Sequence, residues 1–87
     1  MAKKKVLVRD GQHMRPMLAV LTRNGIGDVD QYGRGRWIAE TDIPRIADAI
    51  RSHPRAIRGG AAEDSWLCPG TNIHNWVDVA DFKALFK

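Results

Sequence analysis

Cysteine is nearly absent from this chain. Cys68 stands alone among 87 residues, so no intrachain disulfide can form, and the composition points to a reducing compartment. Long apolar runs are missing as well, since nothing approaches the roughly 20 residues a membrane-spanning helix needs. Met1–Lys5 is basic, but Val6–Val8 is far too short for the apolar part of an export signal. The expectation is therefore a cytoplasmic protein with no membrane partner. Aromatics are few: three Trp, two Phe and one Tyr. Each can bury roughly 150–250 Å², so the tryptophans are expected to supply much of a thin core. A hydrophobic content of 44% lies near the globular average and argues against wholesale disorder. One domain over residues 1–87 is expected, and a homodimer is compatible with so small a core.

Reactive constellations are equally scarce. His13, His53, His74 and Cys68 are the only soft or borderline ligands besides methionine, and none belongs to a CxxC or HxxxH pair. Zinc sites use four ligands, usually in two closely spaced pairs, so no metal is expected and Cys68 reads as a small buried hydrophobe. No GxSxG elbow surrounds Ser65, and Cys68 with His74 lacks the arginine of a phosphatase-like loop. The acids form no clustered pair for acid–base chemistry. Gly25-Ile26-Gly27 and Gly33-Arg34-Gly35 have no P-loop lysine and no helix directly after them, so they read as turns. Neither an enzyme nor a cofactor is expected.

Charge is present and uneven. The net charge is +4, but up to Arg58 twelve Lys/Arg face six acids, while from Gly59 onward two lysines face four acids. Nine of the fourteen basic residues are arginine, the type suited to phosphate and base-edge forks. A polyanion partner for the first part fits this asymmetry. So does a solvated basic surface from a genome that favours arginine codons.

Periodicity divides the chain into three segments: 1–25, 26–58 and 59–87. Lys4–Arg9 reads as a strand with Val6 and Val8 on one face. Met14, Met17, Leu18 and Leu21 follow the i, i+3, i+4, i+7 spacing of a helical face. That predicts a helix over Met14–Arg23, with Pro16 in its first turn and Asn24–Gly25 as its stop. Ile26–Tyr32 and Arg36–Glu40 then form a hairpin around Gly33-Arg34-Gly35. A helix capped by Thr41 or Asp42, with Ile43, Ile46, Ala47 and Ile50 inward, runs to His53-Pro54. The third segment repeats the plan. A loop at Gly59-Gly60-Ala61-Ala62 leads to strands Ser65–Cys68 and Ile73–Val77 around Pro69-Gly70-Thr71-Asn72. Asp78 or Asp81 caps a last helix with Val79, Phe82, Leu85 and Phe86 inward. The expected fold is α+β, a β-α segment followed by two β-hairpin–helix units. Trp37-Ile38, Asp42-Ile43 and Ile46 match Trp76-Val77, Asp81-Phe82 and Leu85 at a constant offset of 39. That offset reflects either a duplication or two solutions to one strand-to-helix corner.

The basic tip of the first hairpin is the most informative feature. Arg34 and Arg36 flank Gly35, with Tyr32 and Trp37 just behind. A glycine tip brings guanidinium and backbone groups close to a phosphate backbone or into a minor groove; the bland reading is a solvated turn whose aromatics belong to the core. Lys3-Lys4-Lys5 suits either a phosphate-tracking arm or a solubilising terminus.

The stretch Leu21, Gly25-Ile26, Tyr32-Gly33-Arg34-Gly35-Arg36-Trp37-Ile38, Asp42-Ile43 and Ile46 resembles the wing and following helix of excisionase-like winged-helix proteins. These are small DNA-binding proteins of phages and mobile elements. The resemblance implies a winged-helix-like fold in which Met14–Arg23 is the recognition helix and Arg34 and Arg36 sit on the wing. Arg15 and Arg23 would then lie near the groove. The family has a further helix ahead of the recognition helix, where this chain shows the strand Lys4–Arg9.

Two functions follow as expectations. The first is a phage- or plasmid-encoded DNA-binding or architectural protein that holds double-stranded DNA through Arg15, Arg23, Arg34, Arg36, Arg55 and Arg58. The rival is a protein-interaction module, such as a phage-encoded inhibitor of a host protein, using Trp66, His74 and Trp76 as an aromatic patch.

Overall fold

The computed structural model describes residues 4–11, 13–60, 65–71 and 75–87. The alternating valines build strand β1 (Lys5–Arg9), which leaves Val8 fully buried. Helix α1 (Arg15–Asn24) follows, with Pro16 in its first turn and Gly25 closing it by donating to Leu21 O and Thr22 O. Its buried face is Met17, Val20 and Leu21, with Met14 and Leu18 packed at the margin. Val20 therefore joins the face that the simple spacing assigned without it. Because β1 occupies the stretch ahead of α1, no helix precedes α1 among the described residues.

The first hairpin is β2 (Asp28–Val29) and β3 (Gly35–Ala39), and β1 pairs with β3 to give the order β1-β3-β2. Strand β2 is far shorter than the expected Ile26–Tyr32. The turn does not centre on Gly33-Arg34-Gly35: Asp30 O accepts the Gly33 N–H at 2.9 Å, so it opens at Asp30. The Asp30 carboxylate also takes the N–H groups of Tyr32 and Arg34. Side-chain acceptors of this kind compete with the ladder and shorten strands.

Helix α2 (Ile43–Arg51) buries Ile46, Ala47 and Ile50, the face its periodicity predicts. The chain enters it through a 3-10 turn at Glu40–Asp42. Asp42 does not cap the helix from in front. It reaches back to accept the Ala39 N–H at 2.8 Å. Strand β4 (Ile57–Arg58) comes next, two residues too short for any alternation to announce it. Strands β5 (Trp66–Pro69) and β6 (Trp76–Asp78) form the second hairpin, in the order β4-β5-β6. Helix α3 (Val79–Lys83) closes the chain with a 3-10 turn at Ala84–Phe86. Here Asp78 caps by accepting from Ala80, and Asp81 accepts the Asp78 N–H at 2.8 Å.

The fold is thus a small α+β domain with three helices and two three-stranded antiparallel sheets among the described residues. The offset of 39 has a physical basis at the corner itself. Ala39 with Asp42, and Asp78 with Asp81, make the same back-bond where strand turns into helix. The sheets around the two corners are built differently. Strand β3, which leads into its helix, is central in the first sheet, whereas in the second the centre is β5, the opening strand of its hairpin.

One core joins both sheets: Val8 and Ile38 from the first, Cys68 and Val77 from the second, with Ile26 from the loop after α1 and the buried faces of all three helices. It is aliphatic, with Phe82 as its one fully buried aromatic. The tryptophans do not carry it: Trp37 and Trp66 are half-buried, and Trp76 is 37% exposed. Branched aliphatic side chains fill the narrow space between short helices and small sheets, and the indoles remain at its edge. At two of the glycines the tightest approaches leave no room for a side chain. A Cβ on Gly70 would stand 2.5 Å from Pro16 Cβ, where the second hairpin meets α1. A Cβ on Gly35 would stand 2.0 Å from the carbonyl oxygen of Val8, at a φ of 155°.

Replacing Gly35 by alanine must therefore part β1 from β3. We expect Gly35→Ala to lose roughly 1–3 kcal/mol or more, the range of overpacked sites, measured as a lower urea midpoint. An unchanged midpoint would refute the close backbone approach.

Candidate interaction surface at the first hairpin

The segment Asp30-Gln31-Tyr32-Gly33-Arg34 turns β2 into β3, and a carboxylate lies at its centre. The Asp30 side chain is 2% exposed and accepts five hydrogen bonds. Arg34 grips it with both arms of its fork, Nε to Oδ2 at 2.8 Å and Nη2 to Oδ1 at 3.0 Å. The Trp37 indole N–H donates to Oδ1 at 2.7 Å. The backbone N–H groups of Tyr32 and Arg34 complete the set at 3.1 and 3.3 Å. The Arg34 fork first, and then the Trp37 indole, hold this carboxyl far below the usual carboxylate range, against the opposing effect of burial. Asp30 in turn raises the Arg34 guanidinium. A buried charge persists only when paired and fully hydrogen-bonded, and both conditions are met.

The clamp fixes what lies outside it. Tyr32 is 73% exposed, and the Arg34 guanidinium carbon sits 5.3 Å from its ring centroid, within cation–π range. Val29, 68% exposed, stands beside a shallow groove of about 250 Å³ between α1 and the hairpin. Asp10, Leu18, Thr22, Gly33, Gly35 and Arg36 line the rest of it. Arg36 donates to Ile26 O and Gly27 O, which ties β3 to the loop after α1. On the opposite face of the sheet, Leu7 and Asp28 are the register neighbours of Trp37, and Lys5 reaches Asp28 at 3.4 Å.

The six arginines expected on nucleic acid fall into two groups. Arg15, Arg34 and Arg36 gather at the hairpin end, where Arg15 Nε donates to Asp10 Oδ1 at 3.1 Å and Asp10 N–H donates to Arg34 O. Arg23 lies eight residues along α1 from Arg15, about 12 Å away at the rise of a helix. Its Nη2 donates to Pro69 O at 3.1 Å and contacts the Cys68 sulfur at 3.9 Å. Arg55 belongs with Arg23. Burial and then the Arg23 and Arg55 charges push the His53 imidazole down, and His53 Nδ1 accepts the Arg55 N–H at 3.0 Å. The Arg58 guanidinium carbon sits 5.2 Å from the Trp66 ring centroid. The two groups differ in charge balance: Arg15 and Arg34 are paired with carboxylates, whereas neither Arg23 nor Arg55 has a carboxylate partner among the described residues. An exposed pair like Arg15–Asp10 is worth only about 0–1 kcal/mol and is easily exchanged. Arg34 cannot leave without stranding a buried carboxylate.

Of the expected aromatic patch, Trp66 lies beneath Arg58 and Trp76 is partly exposed on β6, while His74 lies outside the described residues. Cys68 is fully buried, and burial pushes its thiol up, opposite to what a nucleophile requires. No group of three metal-ligating side chains occurs among the described residues, and no helix there is long and apolar enough to cross a membrane. Sequence reading passed over Asp30 because a lone aspartate after a valine has no motif. The available signal was its spacing of two and four residues from Tyr32 and Arg34, the reach of an aspartate that hydrogen-bonds its own turn. No protein-family model, no curated protein and no solved structure matches this chain.

Because the folded-state pKa of Asp30 is depressed, its contribution is complete above the unfolded carboxylate pKa of about 4. That contribution is lost as pH falls from there towards the folded value. Asp30→Asn should lower the melting temperature at neutral pH, with a gap to wild type that stays level down to about pH 5 and narrows below about pH 4. Thermal melts across that range check it; a constant gap would disprove the charged clamp.

Proposed function

We propose that this domain is a non-catalytic protein-interaction module that recognises its partner through the tip of the first hairpin and the groove beside it. The observation that carries the reading is the Asp30 clamp, which fixes the backbone that carries an exposed tyrosine and the fork of the arginine beside its ring before any partner arrives. Ordering a rotamer-rich side chain on binding costs about 0.5–1.5 kcal/mol, and the clamp removes much of that cost. Tyrosine and arginine are enriched among the residues that dominate interfaces. The arginine that a phosphate would need is already committed to a carboxylate. Binding by such a surface occludes what it covers, which suits an inhibitor of a host protein. The interaction residues on this reading are Val29, Tyr32 and Arg34 rather than the tryptophans of the second sheet.

A second reading, binding of double-stranded DNA, is favoured by the Arg23–His53–Arg55 group, where two arginines crowd a histidine without a described carboxylate partner. Arg58 on the neighbouring β4 would extend that contact.

Capture from lysates of the carrying cells, with and without nuclease, tests the first reading. The wild-type domain should hold its partner after nuclease treatment. Val29→Ser combined with Tyr32→Ala should weaken capture by at least tenfold, about 1.4 kcal/mol, with an unchanged melting temperature. Capture that vanishes with nuclease, or that ignores the double substitution, refutes it. For the second reading, duplex DNA affinity is followed against salt. Each phosphate contact adds about 0.9 to the log–log slope, so Arg23→Gln with Arg55→Gln should lower the slope by up to about 2. An unaltered slope removes this group from any nucleic-acid contact.

A further inference from the structure

Strand β1 lies at the edge of the first sheet, with β3 on one side and no strand on the other among the described residues. Two bonds near its end show which backbone groups face outwards. Asp10 N–H donates to Arg34 O, so Asp10 turns towards the β3 side. Asp30 N–H donates to Gly35 O, so Gly35, the register partner of Arg9, turns towards β2 instead. An antiparallel ladder alternates. Val6 and Val8 therefore bond to β3, and the N–H and C=O groups of Lys5, Leu7 and Arg9 point away from it. No turn, loop or cap bond reaches those groups among the described residues.

The side chains at the same three positions share one face of the strand, opposite the buried Val8. Leu7 is half-buried beside its register partner Trp37, and Lys5 and Arg9 are exposed on either side of it. Lys5 reaches Asp28 across the sheet, an exposed pair of the kind worth only about 0–1 kcal/mol. Arg9 has no ion pair among the described residues, and the adjacent Asp10 is held by Arg15.

A free edge with unmet donors and acceptors recruits another strand, and the side chains beside it select which one. A second copy laid antiparallel about Leu7 sets Lys5 against Arg9 at both ends of the contact, and like charges directly opposite destabilise a pair. A strand with acids at those two positions and an apolar residue between them makes two opposite-charge pairs and covers Leu7. We propose that the free edge of β1 takes up an extended acidic segment of a partner protein by antiparallel strand addition. Its acids lie opposite Lys5 and Arg9, and its apolar residue lies opposite Leu7. The edge is across β3 from β2 and the hairpin tip, and its use does not depend on theirs.

The probe is a capped synthetic peptide, threonine-glutamate-threonine-valine-threonine-glutamate-threonine, titrated with the full chain and followed by fluorescence anisotropy. It should bind, and the same peptide with lysine in place of each glutamate should bind at least about tenfold more weakly. Arg9→Glu should weaken the glutamate peptide by roughly tenfold, because an attraction becomes a repulsion of similar size, with an unchanged melting temperature. N-methylation of the central valine removes the N–H that meets Leu7 O and should abolish binding to the wild type. N-methylation of the threonine beside it removes an N–H that faces away from β1 and should leave binding intact. Val29→Ser with Tyr32→Ala should bind the peptide as the wild type does. A glutamate peptide that fails to bind at its highest soluble concentration overturns the inference. So does equal binding of the lysine peptide, indifference to Arg9→Glu, equal loss from N-methylation at both positions, or loss on substitution of the hairpin tip.

Discussion

A carboxylate that has left water dictates much of the first half of this protein. Asp30 can remain ionised in its buried position only because five donors converge on it, and those donors come from three places: the turn backbone, the Arg34 fork and the Trp37 indole. Satisfying the charge therefore sets the path of the turn, the rotamer of an arginine and the orientation of a tryptophan at once. The shortness of β2 follows from it, since N–H groups turned towards a carboxylate cannot serve a ladder. So does the exposed position of Tyr32, carried on a turn that cannot relax without uncovering the charge.

The same interaction changes the meaning of the arginines. A count of cations along the chain treats each guanidinium as available to a partner, but availability depends on what each one already holds. Arg34 serves a buried acid, Arg36 serves two carbonyls behind the sheet, and Arg23 braces the second hairpin against α1. These arginines act as struts, and their charge is secondary to their length and planar donors. Basic character thus contributes to the architecture before it contributes to any surface.

The second half of the molecule shows how far local similarity extends. The corners at Ala39–Asp42 and Asp78–Asp81 solve one problem in one way, an aspartate reaching back to the N–H that the strand leaves unpaired. Beyond the corner the likeness ends, because the third strand joins opposite members of the two hairpins. What the sheets share is the packing of all three helices into a single aliphatic core, sealed by a glycine against Pro16.

Local chemistry is what the amino-acid order determined by itself. The helices over α1, α2 and α3, the proline starts, the first strand, the two hairpins and the buried cysteine were all legible, because each depends on residues within a few positions of one another. The tertiary structure alone decided which charges are spent and which are offered. It placed Asp30 under the Trp37 indole, split the arginines between the two ends of α1, and moved the tryptophans from the core to its rim. It also paired the two-residue strand β4 with β5. Each of these outcomes depends on the distance and burial of groups far apart along the chain. Electrostatic and hydrogen-bond energies depend on separation in space and access to water, and neither can be read from order alone.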